Sequence, residues 1–182
     1  HISEVKQFTS SSFISNKVRK SINKFHQGTC YRLPEIKVCI FGKTDKTKKI
    51  LEVIHFLLAL NKKIGQSHEL KTIVILLTDN KKEMAKNFTP DNINSGLTNG
   101  KYICVFREEE VIKVCIHEMI HALDWDLKDD DEVIQKRISK ILEVPIRCKI
   151  TEAYTEAWAR ILNCFVCSNS LRSFKSNIKD ER

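Results

Sequence analysis

His117 and His121 stand four residues apart, with Glu118 directly after the first, in the run V-C-I-H-E-M-I-H-A-L from Val114 to Leu123. On a helix, residues i and i+4 sit one above the other, so the two imidazoles can offer nitrogens to a single ion. Glu118 is rotated by roughly 100° from His117. Its carboxylate can therefore reach a water beside the metal without ligating the metal itself. Two nitrogen ligands and a general base are the working parts of an H-E-x-x-H zinc hydrolase. The flanking residues Val114, Cys115, Ile116, Met119, Ile120, Ala122 and Leu123 carry no charge, and such a dry setting keeps solvent from competing for the imidazoles. The competing reading is a pair of core histidines satisfied by hydrogen bonds, which asks for no metal.

Catalytic zinc takes three protein ligands and keeps a further position open for water. No histidine follows His121, and the Gly and His that a metzincin needs are here Asp124 and Leu127. The downstream candidates are Glu152 and Glu156 in T-E-A-Y-T-E-A-W-A, four residues apart among small and aromatic neighbours. Two carboxylates on one helical face repel unless a cation or proton donor lies between them. One metal ligand and one hydrogen-bond partner of a ligating histidine would satisfy both. The residues alone leave open which is which.

With both motifs in view, the chain resembles the gluzincin branch of the zincin-type zinc metallopeptidases, whose thermolysin-like members carry H-E-x-x-H on one helix and N-E-x-x-S-D on a later one. Thr151 to Glu156, T-E-A-Y-T-E, occupies the second motif, with Thr151 for Asn, Thr155 for Ser and Glu156 for Asp. The resemblance spans residues 101–160 at most. It implies one catalytic Zn2+ on His117, His121 and Glu152, with Glu156 hydrogen-bonded to a ligating histidine and Glu156 itself the alternative ligand. Glu118 is then the catalytic base of peptide-bond hydrolysis on a protein or peptide substrate. It further implies a zincin-like α+β fold: a small mixed sheet, an edge strand preceding the active-site helix, and a second ligand-bearing helix. That edge strand, expected to pair with extended substrate, is placed at the backbone of Ile103 to Phe106. Family members draw an oxyanion donor from a separate C-terminal domain. Here 26 residues follow Glu156, so the donor is expected among Tyr154, Tyr102 and His68. Two other readings stand beside the peptidase: a zincin-like binding or structural protein that keeps the metal without turnover, and a basic nucleic-acid-binding protein.

The elements that must position these residues follow from periodicity. Apolar residues at helical spacing over 2–25 predict one or two amphipathic helices. Leu33 to Phe41 reads as a strand with Pro34 at its start. A helix from Thr44 or Asp45 to about Asn61 and a buried strand from Leu70 to Leu77 complete a crossover unit with parallel pairing. Thr78 to Gly100 is a long polar loop, a feature often tied to function, and Lys101 to Arg107 is a strand. Glu108 to Glu110 are expected in the first turn of the motif helix, where carboxylates offset the dipole, and that helix is expected to stop near Asp124. Helices over about Asp131 to Leu142, closed by Pro145, and about Lys149 to Cys167 follow.

The 182 residues, 42% hydrophobic and 30% charged, suit one globular domain. The expected division is a basic part over 1–90, the metal-site half over 91–168 and a tail over 169–182. Residues 1–90 hold 17 Lys and Arg against 7 Asp and Glu, and residues 91–182 hold 14 against 16. The basic half can attract nucleic acid or an acidic partner, although no aromatic-interleaved basic motif accompanies it. No apolar run reaches the ~18 residues of a membrane span. Seven cysteines, with Cys39, Cys104 and Cys115 in apolar runs, read as buried free thiols of an intracellular, reducing compartment.

Overall fold

The β-branched run around Ile73 to Ile75 forms the centre of the sheet, buried on both faces. The computed structural model describes Phe8 and residues 14–25, 27–82, 94–129, 131–143, 149–168 and 171–180. In chain order these form α1 (Asn16–Ile22), β1 (Gly28–Arg32), β2 (Lys37–Phe41), α2 (Thr47–Lys63), β3 (Thr72–Leu76), β4 (Gly96–Thr98), β5 (Tyr102–Val105), α3 (Val111–Ala122), α4 (Glu132–Leu142), α5 (Thr151–Cys167) and α6 (Leu171–Asp180). The strands make one mixed sheet in the order β1-β2-β3-β5-β4. β2, β3 and β5 are parallel, and β1 and β4 lie antiparallel on the two edges. The β2-α2-β3 crossover is the one that the strand, helix, strand pattern predicts.

Side chains alternate across the inner strands. Val38, Ile40, Ile73, Ile75, Ile103 and Val105 join the core beneath α2 and α3. Cys39, Phe41, Val74, Leu76, Cys104 and Phe106 join a second core with Val18 and Ile22 of α1. Burial on both faces explains why β3 reads as an unbroken apolar run. Helix α5 lies against α3, which brings the two motif helices together.

The structure changes several sequence expectations. Residues 33–36 turn rather than extend, with Leu33 N donating to Ile36 O at 3.0 Å, so Pro34 sits in a hairpin turn. Gly28–Arg32 is a strand, and its register sets Cys30 opposite Cys39. With Cα atoms 4.1 Å apart the two form a disulfide. Cys39 is thus no free thiol, and cysteine usage ceases to argue for a reducing compartment. Cys104 and Cys115 are buried thiols as expected. Residues 171–180, expected as a tail, form α6. Of the N-terminal amphipathic pattern, α1 is helical from Asn16, capped by Ser15 Oγ accepting from Val18 N at 3.2 Å; residues 2–7 and 9–13, like Pro145, lie outside the described residues. No described helix is long and apolar enough to cross a membrane.

Two corrections bear on the site. β5 is hydrogen-bonded to β3 on one side and β4 on the other, so Ile103 to Phe106 has no free edge. The edge beside α3 is β4, from the stretch expected as loop. Glu108 to Glu110 precede α3, whose first turn holds no acid. Glu109 and Glu110 instead hold Lys82 and Ser95. Glu109 Oε1 accepts from Lys82 N at 2.6 Å. Glu110 accepts from Ser95 Oγ and pairs with Lys82 and Lys113 at 3.3 and 3.6 Å. Burial would raise the Glu110 carboxyl, but those hydrogen bonds and charges outweigh it and hold it below the usual range.

Arg107 completes this anchoring. It is 2% exposed, and its Nε and Nη1 donate to the carbonyls of Asn94 and Asn80, each at 3.1 Å. A buried guanidinium needs such acceptors, and the two carbonyls need their donors. Arg107→Met is expected to lower unfolding free energy by about 3 kcal/mol, from one buried and one half-buried carbonyl left without this donor. Urea denaturation at neutral pH measures it; a loss below ~1 kcal/mol would remove this anchoring role.

Candidate metal centre

Helix α3 stops because Asp124 enters the left-handed region, with φ of 60°, a conformation that Asp tolerates better than most residues. Asp124 N then donates to His121 O at 3.1 Å and Trp125 N to Ile120 O at 3.0 Å, closing the helix end as a Schellman-like turn does. The reversal carries Asp126 back to the helix, where its Oδ2 accepts from His121 Nδ1 at 2.9 Å. Burial would raise the Asp126 carboxyl, yet hydrogen bonds from His121 and Lys128 keep it below the usual range. Read from the sequence alone, Asp126 has no role at the site. A carboxylate five residues after the second histidine was its one visible signal.

The same loop fixes the second helix. Asp129 Oδ1 accepts from Ile150 N at 2.7 Å and Thr151 N at 2.9 Å, and it lies 2.9 Å from Thr151 Oγ1. These are the free donors of the first turn of α5. Asp129 thereby locks the start of α5, where Glu152 sits, to the chain leaving α3.

The four predicted metal-site residues meet where α3 and α5 face each other. Glu152 Oε2 lies 3.3 Å from His117 Nε2, and Glu152 Oε1 lies 3.5 Å from His121 Nε2. One ligand atom from each of the three residues falls within 4.8 Å of the others, a group that could hold a metal ion. Ligands of a tetrahedral ion with bonds of 2.0–2.1 Å stand about 3.3 Å from one another. The donor set therefore fits. Glu156 is on the other side of the imidazole: its Oε2 lies 3.3 Å from His117 Nδ1, while its Oε1 takes Lys113 Nζ and Arg160 Nε, each at 2.9 Å. The His117 hydrogen bond, then those of Lys113 and Arg160, overcome burial and hold its carboxyl well below the usual range. Each histidine thus gives its Nδ1 proton to a carboxylate and turns Nε2 toward Glu152, the orientation a ligating histidine needs. Burial would lower the His117 pKa, but the Glu156 hydrogen bond and the charges of Glu118, Glu152 and Glu156 raise it.

Glu118 stands apart from the ligand group and is 8% exposed. Burial foremost, opposed by His117 and reinforced by Glu152, pushes its carboxyl up to about 7. The site opens into a cleft of about 1030 Å³ between β4 and the two motif helices, also lined by Lys82 and Lys113. None of the expected oxyanion donors lines it. His68 pairs with Glu35 at 3.0 Å. Tyr102 packs on Phe8 and Tyr154 on Trp158, with ring centroids 6.4 and 6.3 Å apart.

A raised carboxyl pKa has a defined sign in stability. Without metal, folded Glu118 keeps its proton up to about 7, while an unfolded glutamate loses it near 4.5. Between these values the unfolded state binds fewer protons, so stability falls as pH rises, by about 3 kcal/mol in all. His117 acts in the same direction, because stability from a raised histidine is present below 6.5 and lost as pH climbs through the folded value. Metal-free protein is expected to be more stable toward urea at pH 5 than at pH 8, and Glu118→Gln to flatten much of that slope. An unchanged slope in the variant would count against the burial of an ionisable Glu118.

No protein-family model, curated protein or solved structure matches the chain.

Proposed function

We propose that this protein is a zinc-dependent peptidase of zincin-like fold and gluzincin-like ligand set. The observation that carries the reading is the meeting of two imidazole Nε2 atoms and the Glu152 carboxylate, with Glu118 beside them and outside the ligand group. His117, His121 and Glu152 would hold the ion, and Asp126 and Glu156 keep the imidazoles in the ligating tautomer. When bound, zinc lowers the pKa of a water and polarises a carbonyl oxygen. Glu118 takes the proton of the attacking water and passes it to the leaving amine. β4 has β5 on one side and, among the described residues, no strand on the other. Its backbone borders the cleft, so an extended peptide can be added there as a further strand.

Purified protein is expected to hold one zinc per chain and to cleave an unfolded protein substrate, with hydrolysis stopped by a chelator and restored by zinc. Failure to retain zinc at neutral pH would sink the reading. A second reading, a metal-holding protein without turnover, is favoured by the absence of Tyr154, Tyr102 and His68 from the cleft lining. Zinc retention with no cleavage across a peptide library would select it.

A further inference from the structure

Gly96 is the first residue of β4 and lies against the base. Its backbone is outside the left-handed region, which among the described glycines holds Gly42, Gly65 and Gly100. The chain conformation therefore gives no reason for glycine here. The reason is space. A Cβ built at Gly96 would stand 2.7 Å from Val114 Cγ1 and 2.9 Å from both Cγ and Oε1 of Glu118. Carbon contacts settle near 3.5–4.0 Å, so something must move.

We infer that Gly96 is a positioning residue for Glu118: the bare backbone of the edge strand forms one wall of the slot that holds the carboxylate. The inference rests on the peptidase reading for its catalytic consequence, but not for its steric content. Of the three parts in conflict, Glu118 is the one free to give. Gly96 is held in register against Val105 of β5. Val114 is buried in the core and is β-branched, with little rotamer freedom on a helix. Glu118 has three side-chain torsions. A methyl at position 96 thus displaces the carboxylate from its slot, and a displacement near 1 Å at a catalytic group costs about 100-fold in rate.

The test uses Val114→Ala as parent, which removes the other conflict, and adds Gly96→Ala to it in zinc-loaded protein. The expected result is a kcat about 100-fold lower, with KM and zinc content unchanged. A second readout needs no activity: in metal-free protein, Gly96→Ala lowers the urea midpoint of the parent, and that loss vanishes once Glu118→Ala is also present, because the two sites couple only through contact. An unchanged kcat, or a midpoint loss that persists without the Glu118 side chain, overturns the inference. A wild-type protein that turns over no substrate overturns the peptidase reading and the catalytic consequence together, while the midpoint comparison still decides whether Gly96 walls the slot.

Discussion

Glu118→Gln is expected to retain a full complement of zinc while losing peptide hydrolysis by about 10³-fold or more, at the upper end of what general acid-base catalysis supplies. The two halves of that result have separate causes. Zinc is expected to stay because Glu118 is outside the group that could hold a metal ion, His117, His121 and Glu152, and glutamine preserves the shape of the buried side chain between β4 and α3. Activity goes because an amide cannot accept the water proton and hand it on. The change also removes an ionisable group from a site where burial opposes its charge, so the metal-free variant is not expected to be less stable at neutral pH. Metal analysis and turnover of an unfolded protein substrate, measured on one preparation, check both halves. Zinc loss would make Glu118 a ligand rather than a base, and retained activity would move the base elsewhere.

The parts of this site legible in sequence are those written by helical periodicity. His117, Glu118 and His121 share a short range, and Glu152 and Glu156 another; i to i+4 spacing fixed the face of each without knowledge of the fold. The inner strands were legible because burial on both faces leaves a continuous apolar run, as at Thr72–Leu76. The edges were not. β1, G-T-C-Y-R, is only partly buried and carries no apolar alternation, so the partner of Cys39 stayed hidden and the disulfide with it. β4 is three residues long, too short for a period of two to show. Its assignment to a loop made β5 look like the edge, although that loop was marked as functional. Asp126 and Asp129 were invisible for a different reason. Their roles depend on the left-handed turn at Asp124, which redirects the chain, and a cluster of acids after a helix gives no sign of where each one points. Thr151 lies 2.9 Å from Asp129 and 2.6 Å from the Leu127 carbonyl, so its hydroxyl ties α5 to the loop after α3.

Glu152→Ala is expected to cost far more zinc affinity than Glu156→Ala, and the comparison decides between the two candidate ligands. Glu156 has both oxygens engaged: one by Lys113 and Arg160, the other by His117 Nδ1, the ring nitrogen turned away from the ligand group. Ligating a metal there would require it to leave two cations and the imidazole to flip. Glu152 is 72% exposed on the cleft side and faces Nε2 of both histidines. Removing Glu156 frees the His117 ring to rotate and leaves Lys113 and Arg160 without that carboxylate, a loss expected to weaken zinc binding roughly 10- to 100-fold, as for other hydrogen-bond partners of ligating histidines. Asp126→Asn, which weakens the equivalent hold on His121, falls in the same range. On the proposed ligand set, removing Glu152 takes away one of three donors, so its effect is expected to exceed that range. Competition against a fluorescent chelator at pH 7.5 measures all three variants on one scale. If Glu156→Ala empties the site while Glu152→Ala keeps its zinc, the ligand set becomes His117, His121 and Glu156, and the imidazole of His117 must turn over in the loaded protein.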